Sequence, residues 1–143
     1  MSVPGSNPVQ FVPNSGDFTV DSVSDPGGAP ANILDVDQGF VVKGTVTLPN
    51  FLSGKGQVCI YADELGGPID TRLAPCTDIN ITGKIGEPGS TTYPWTITFP
   101  GSPPVLPDPD PGSQLYHLAA VFLFGDQLTD IASFVDMGMF LIN

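Results

Sequence analysis

Few side chains in the sequence could act as a nucleophile, a general base or a transition-metal ligand. The chain of 143 residues contains one histidine, His117, and two cysteines, Cys59 and Cys76. A Ser-His-Asp or Cys-His arrangement would have to use His117, which follows Tyr116 in an apolar segment where packing is the commoner role of a histidine. No Cys-x-x-Cys or His-x-x-x-His spacing and no glycine-rich phosphate loop is present. We therefore expect no catalytic site, no transition-metal site and no cofactor.

Carboxylates are abundant by contrast. The chain has 15 Asp and Glu against 4 Lys and Arg, and its net charge is −11. Counting alone leaves paired-carboxylate hydrolysis open, but no two carboxylates stand in an arrangement that indicates it. Asp108 and Asp110 alternate with prolines in an acidic loop, residues 100–112. They are candidate calcium ligands because calcium takes oxygen ligands, although no EF-hand spacing accompanies them.

The basic residues are too few and too dispersed to recognise an anionic polymer. They are Lys43, Lys55, Arg72 and Lys84. Nucleic-acid binding needs clustered cations that displace counterions from phosphates, so we expect no nucleic-acid partner. The acidity also disfavours binding to anionic membrane surfaces. The sequence contains no run of 18 apolar residues, the length needed to span a membrane, so we expect no membrane insertion.

The alternation of side chains around the cysteines predicts where their sulfurs point. Val58 and Ile60 would face inward, which turns Cys59 outward, and the same reasoning from Ile79 turns Cys76 outward on a neighbouring strand. Two outward cysteines within about 7 Å, measured between Cα atoms, could form a cross-strand disulfide. It would close a loop of about 18 residues and contribute on the order of 3 kcal/mol. Two free thiols in a reducing compartment are the alternative.

Composition and periodicity together predict an all-β chain. Gly (17) and Pro (16) interrupt every segment that could form a long helix, while 41% hydrophobic residues argue against disorder. Apolar residues alternate with polar ones in several short segments separated by turn residues. The clearest are around Phe40–Leu48, Val58–Ala62, Ile79–Ile81 and Tyr93–Phe99. We expect one antiparallel β-sandwich of about seven to nine strands over residues 31–143. Residues 1–30, rich in Pro, Gly and Ser, would form an extended arm able to add one strand to a sheet edge.

A local pattern near the end of the chain resembles a known architecture. Leu106-Pro107, Pro111-Gly112 and the apolar segment that begins Leu115-Tyr116-His117 resemble the approach to strand F of immunoglobulin-like and fibronectin type III-like sandwiches. In those folds a tyrosine at this place turns its hydroxyl back to an upstream backbone group, and Tyr116 would be that residue. The resemblance implies an immunoglobulin-like sandwich in which residues 115–124 and 131–142 are the neighbouring strands F and G. It implies no particular function.

Strands F and G are apolar on both faces, which an isolated sandwich does not require. One sheet would then expose apolar side chains on its outer face, and such a patch usually marks an interface or is covered by another segment. Strict alternation predicts an interface made of Val121, Leu123, Phe134, Phe140 and Ile142. A neighbouring subunit or the N-terminal arm of the same chain could cover it. We expect a non-catalytic structural or protein-interaction subunit that self-associates through its F–G sheet. A small module that binds glycan or calcium at the acidic Pro-rich loop is the alternative.

The sequence leaves the compartment open. The first residues show neither a cationic n-region nor an apolar h-region, so no secretory signal peptide is visible. If Met1 is the native start, the protein would be cytoplasmic, particle-associated or exported without a leader.

Overall fold

The structure, a computed structural model, describes residues 17–28, 33–35, 37–64, 70–102, 105, 114–125 and 131–142. These residues form nine strands and no helix. The strands are β1 (Asp17–Ser24), β2 (Ile33–Leu34), β3 (Phe40–Pro49), β4 (Gly54–Glu64), β5 (Asp70–Arg72), β6 (Thr77–Ile81), β7 (Ser90–Phe99), β8 (Gln114–Phe124) and β9 (Ile131–Ile142). The described residues contain no helix that is long enough and apolar enough to cross a bilayer. The predicted all-β fold class is confirmed.

The strands form two sheets. The first has three strands in the order β1-β3-β7, and the second has the order β2-β9-β8-β4-β5, with β6 also paired to β4. Every pairing is antiparallel except that of β2 with β9, which is parallel and covers only Ile33–Leu34 against Leu141–Ile142. β1 falls inside the stretch expected to form the N-terminal arm, and it lies at the edge of the three-stranded sheet. Residues 1–16 lie outside the described part of the chain.

The core lies between the two sheets and follows the alternation seen in the sequence. On β3 and β7 every second side chain is buried, from Phe40 to Leu48 and from Tyr93 to Phe99. Because successive side chains of a strand point to opposite faces, the residues between them face outward. Phe18 of β1 joins the two layers, since its ring centroid lies 5.8 Å from that of Trp95 on one sheet and 5.8 Å from that of Phe122 on the other.

A β-bulge in β9 reverses this alternation partway along the strand. Leu118 of β8 pairs with Gly138 and the next residue, Ala119, pairs with Asp136, so Met137 has no opposite partner on β8. One extra residue in a strand exchanges the inward and outward faces of everything beyond it. The bulge thus sends the end of β9 into the core.

Because of the bulge, two of the five residues predicted to form an interface are not on the outward face. Phe140 and Ile142 are buried in the core, with 6% and 0% of their surface exposed, so their assignment to the exposed face is wrong. Phe134 lies before the bulge and pairs with Val121, whose side chain faces outward. The prediction failed because it assumed an unbroken alternation through Met137 and Gly138.

Gly138 allows the bulge, and its replacement tests this role. Its φ is +90°, a conformation that costs residues with a Cβ about 1–2 kcal/mol, and a Cβ built there would meet nothing within 4 Å. We expect Gly138→Ala to lower the free energy of unfolding by about 1–2 kcal/mol through the backbone alone. Gly138→Asn should lose less, because asparagine tolerates positive φ better. Urea unfolding of the three proteins measures both values, and equal stability of all three would contradict this account.

Candidate functional site

The outward faces of the two sheets differ in chemistry. The three-stranded sheet presents a threonine-rich surface to solvent, on which Thr19 is hydrogen-bonded to Thr45 (Oγ1–Oγ1, 2.9 Å) and Thr47 to Thr92 (2.8 Å). Lys43 lies among them, opposite Thr96 in the strand register. Such a polar outer surface is what an antiparallel sheet with one solvated face requires.

The six-stranded sheet presents an apolar surface instead. Strand register places Cys59 beside Val121 and Val121 beside Phe134, with Tyr61 beside Ala119. The surface, called here the apolar face, consists of Tyr61, Leu115, Ala119, Val121, Leu123, Phe134, Met139 and Leu141. Most of these side chains are half-buried by their neighbours, and Leu115 and Met139 are exposed (39% and 43%). The structure thus brings together three of the five residues predicted to form an interface.

Polar side chains interrupt and surround the apolar face: the pair His117–Asp136 lies within it beside Ala119 and Met139, and other charged side chains stand at its periphery. Asp63 lies opposite His117 in the register, Arg72 lies beyond Tyr61 on β5, and Asp78 is on β6. An apolar centre within a polar rim is the usual anatomy of a protein–protein interface.

A disulfide joins Cys59 to Cys76 beside the apolar face. The two Cα atoms are 4.5 Å apart and the residues are 17 positions apart in sequence. Cys59 lies between the inward-facing Val58 and Ile60, so its sulfur is on the outward side of the sheet, yet only 2% of its surface is exposed. The bond ties the segment before β6 to β4.

His117, the only histidine, is on β8, and its Nε2 is hydrogen-bonded to the Asp136 carboxylate of β9 at the bulge. Its side chain is largely covered, with 16% exposed, and the Gly138 backbone N–H donates a second hydrogen bond to the same carboxylate oxygen (2.9 Å). Partial burial raises the pKa of Asp136. The hydrogen bonds from His117 and Gly138, with the charge of His117, outweigh that effect and hold the pKa below its ordinary value of 3.8. The pair therefore closes the bulge around an ionised carboxylate.

Metal ligands are not assembled in the described residues. No group of three or more His, Cys, Asp or Glu side chains there could hold a metal ion. Asp108 and Asp110, the candidate calcium ligands, lie outside the described residues, and the calcium site remains a prediction.

Two β-turns at one end of the sandwich carry exposed apolar side chains that sequence reasoning missed. Phe51 is 64% exposed and Ile85 is 74% exposed. Buried Asn50 connects the two turns through hydrogen bonds. Its backbone carbonyl accepts one from the Lys84 N–H (2.8 Å), and its side-chain Nδ2 donates one to the Pro88 carbonyl (3.0 Å). Their sequence indicated only loops. The Gly138 bulge had a signal, since a glycine within a strand pattern often marks one.

Comparison with known proteins found few similarities. No protein-family model and no curated protein matches the sequence. Among solved structures, the chain is similar to two crystal structures of a β-glucosidase from Listeria innocua, one in complex with gluconolactone and one with glucose. Each match covers 86% of this chain at 14% identity with a TM-score of 0.43. The chain spans 16% of the length of those enzyme chains.

Proposed function

We propose that this chain is a non-catalytic interaction subunit that self-associates through the apolar face. One observation carries this function: the same molecule has a threonine-rich outer surface on one sheet and an apolar outer surface on the other. Contiguous exposed apolar surface is disfavoured in a protein that remains alone in water. Two copies that pair this face in an isologous contact would bury Val121, Leu123 and Phe134 against their counterparts.

The strand order supports the finer assignment to an immunoglobulin-like or fibronectin type III-like sandwich. With β1, β3 and β7 taken as strands A, B and E, the other sheet holds β4, β8 and β9 as C, F and G, the division found in those folds. Tyr116 is fully buried near the start of β8, where the conserved tyrosine of such folds lies. The sandwich then serves as a rigid frame that presents the F–G surface.

Electrostatics oppose self-association only weakly at this surface. The net charge of −11 makes two copies repel each other, but Val121, Leu123 and Phe134 carry no charge, and the Asp136 carboxylate opposite Ala119 is hydrogen-bonded to His117. Added salt screens the repulsion between exposed charges and leaves apolar contacts intact. Self-association should therefore strengthen from low to moderate ionic strength.

The test is a pair of lysine substitutions in the apolar face. We expect wild type to have a native mass that is a defined multiple of 14.9 kDa, and the double variant Val121→Lys, Leu123→Lys to be a folded monomer. Burying two ammonium groups should weaken association by about 100-fold or more. Light scattering after gel filtration, at two protein concentrations and two salt concentrations, measures the mass. Lysine makes the chain less negative, so a loss of association could not come from greater overall repulsion.

A matched variant controls for the substitutions themselves. Thr96→Lys, Thr98→Lys places the same two lysines on the exposed face of the three-stranded sheet, and its mass should equal that of wild type. A monomeric wild type, or a face variant with the wild-type mass, would contradict self-association through this surface.

A further inference from the structure

A cleft of about 370 Å³ opens at the edge of the sandwich, where β1 of one sheet faces β9 of the other. Residues 20–23 form one wall, and residues 135–137 with Met139 and Phe140 form the other. A volume of this size falls at the lower end of the range of small-molecule pockets.

A bulge in each strand shapes this cleft. In β1 the register passes from Val20 opposite Gly44 to Ser22 opposite Lys43, which leaves Asp21 as the extra residue. In β9 the extra residue is Met137. Both extra residues line the cleft. Bulges bend a strand and redirect its side chains, and they are over-represented at sheet edges and next to active sites.

Among the described strands, the backbone on both sides of the cleft lies at a sheet edge. β1 is the outer strand of its sheet, and among the described strands only β2 pairs with the outer side of β9, at Leu141 and Ile142. Between Val135 and Phe140 that side of β9 has no described strand beside it. Strand edges of this kind can hydrogen-bond to an extended segment of another chain.

The side chains of the cleft combine apolar walls with carboxylates. Val20, Val23, Val135 and Met137 pack partly against the core and leave the rest of their surface to the cleft. Asp21 and Asp136 belong to the lining, and no Lys or Arg is found among the described residues that line it. Asp21 is exposed and accepts a hydrogen bond from the Thr19 hydroxyl at 3.0 Å, which leaves its second oxygen for another donor.

We propose that this cleft binds an extended segment of a partner protein through a Lys or Arg side chain flanked by apolar residues. The aliphatic stem of the cation would pack on Val23 and Met137 while its charged head reaches Asp21, with Asp136 close by. The choice of a cationic partner rests on charge complementarity, since two carboxylates line the cleft and the chain as a whole carries −11. The site shares Met139 with the apolar face, but binding there does not require self-association through that face.

Amide chemical shifts in a titration with a blocked pentapeptide, Val-Ser-Arg-Ser-Val, test the site. Its alternating pattern directs the two valines and the arginine to one side of an extended strand. We expect saturable shifts at residues 20–23 and 135–137, and binding at least about ten-fold weaker when citrulline replaces arginine. Asp21→Asn should weaken binding similarly, whereas Asp78→Asn, an exposed carboxylate on the distant β6, should not.

Each outcome of the titration bears on the site. Absence of saturable shifts, shifts confined to other residues, or equal binding of the citrulline peptide would overturn it. Methylguanidinium that binds as tightly as the peptide would show capture of a free cation and would overturn docking of an extended segment. The titration is repeated with the Val121→Lys, Leu123→Lys variant, so that failure of self-association and failure of the cleft are distinguished.

Discussion

Replacing Gly44 by alanine should lower the free energy of unfolding by about 3 kcal/mol, although alanine ordinarily suits a strand better than glycine. A Cβ added at Gly44 would lie closer than 3.0 Å to the Thr19 carbonyl oxygen and to two indole carbons of Trp95. The Thr19 oxygen belongs to the backbone of β1, so the pairing of β1 with β3 would have to open. Trp95 contacts Phe18, which also contacts Phe122, so its displacement would disturb the aromatic contact between the sheets.

Urea unfolding followed by tryptophan fluorescence measures this effect, because Trp95 is the only tryptophan. Thr96→Ala, at an exposed position on β7, serves as the control and should change stability by less than about 0.5 kcal/mol. A smaller residue in place of Trp95 should relieve part of the clash, so Gly44→Ala should cost less in a Trp95→Leu background, followed by circular dichroism. A Gly44→Ala protein as stable as wild type would show that the close approach of β1 and Trp95 is not needed for the fold.

Removing the disulfide should cost about 3 kcal/mol of unfolding free energy. The bond joins residues 17 positions apart and so restricts the unfolded chain, and loops of this length are worth about that amount. Cys59→Ala, Cys76→Ala is the suitable variant, since serine would place a hydroxyl at the buried position of Cys59. The midpoint of urea unfolding should fall in the variant.

A reductant supplies the matched control for the disulfide. Wild type in excess phosphine reductant should unfold at nearly the midpoint of the double alanine variant, and the reductant should leave the variant itself unchanged. Wild type that unfolds at the same midpoint with and without reductant would contradict a stabilising Cys59–Cys76 bond. Neither cysteine belongs to the apolar centre formed by Val121, Leu123 and Phe134, so the native mass of the variant should match that of wild type.

The local alternation of apolar and polar residues determined most of the fold. On β3 and β7 the alternation identified which side chains enter the core, because a strand has a period of two whatever surrounds it. Turn residues marked the strand ends, and the frequency of Gly and Pro excluded long helices. The parity of Cys59 relative to Val58 and Ile60 placed its sulfur on the outward side, where the structure has it bonded to Cys76.

Only the tertiary structure decided what the end of β9 does. The same local pattern is compatible with a regular strand or with a bulge at Met137. A regular strand would place both Phe140 and Ile142 on the outward face, whereas the bulge places both in the core. The choice depends on the register with β8, where Leu118 and Ala119 pair with Gly138 and Asp136, and register is a property of two strands far apart in sequence. The hydrogen bond between His117 and Asp136 and the cleft between β1 and β9 follow from that register. The sequence by itself therefore determined which residues alternate within each strand. The position of one extra residue in β9, set by the pairing with β8, determined which residues at the end of β9 reach the surface.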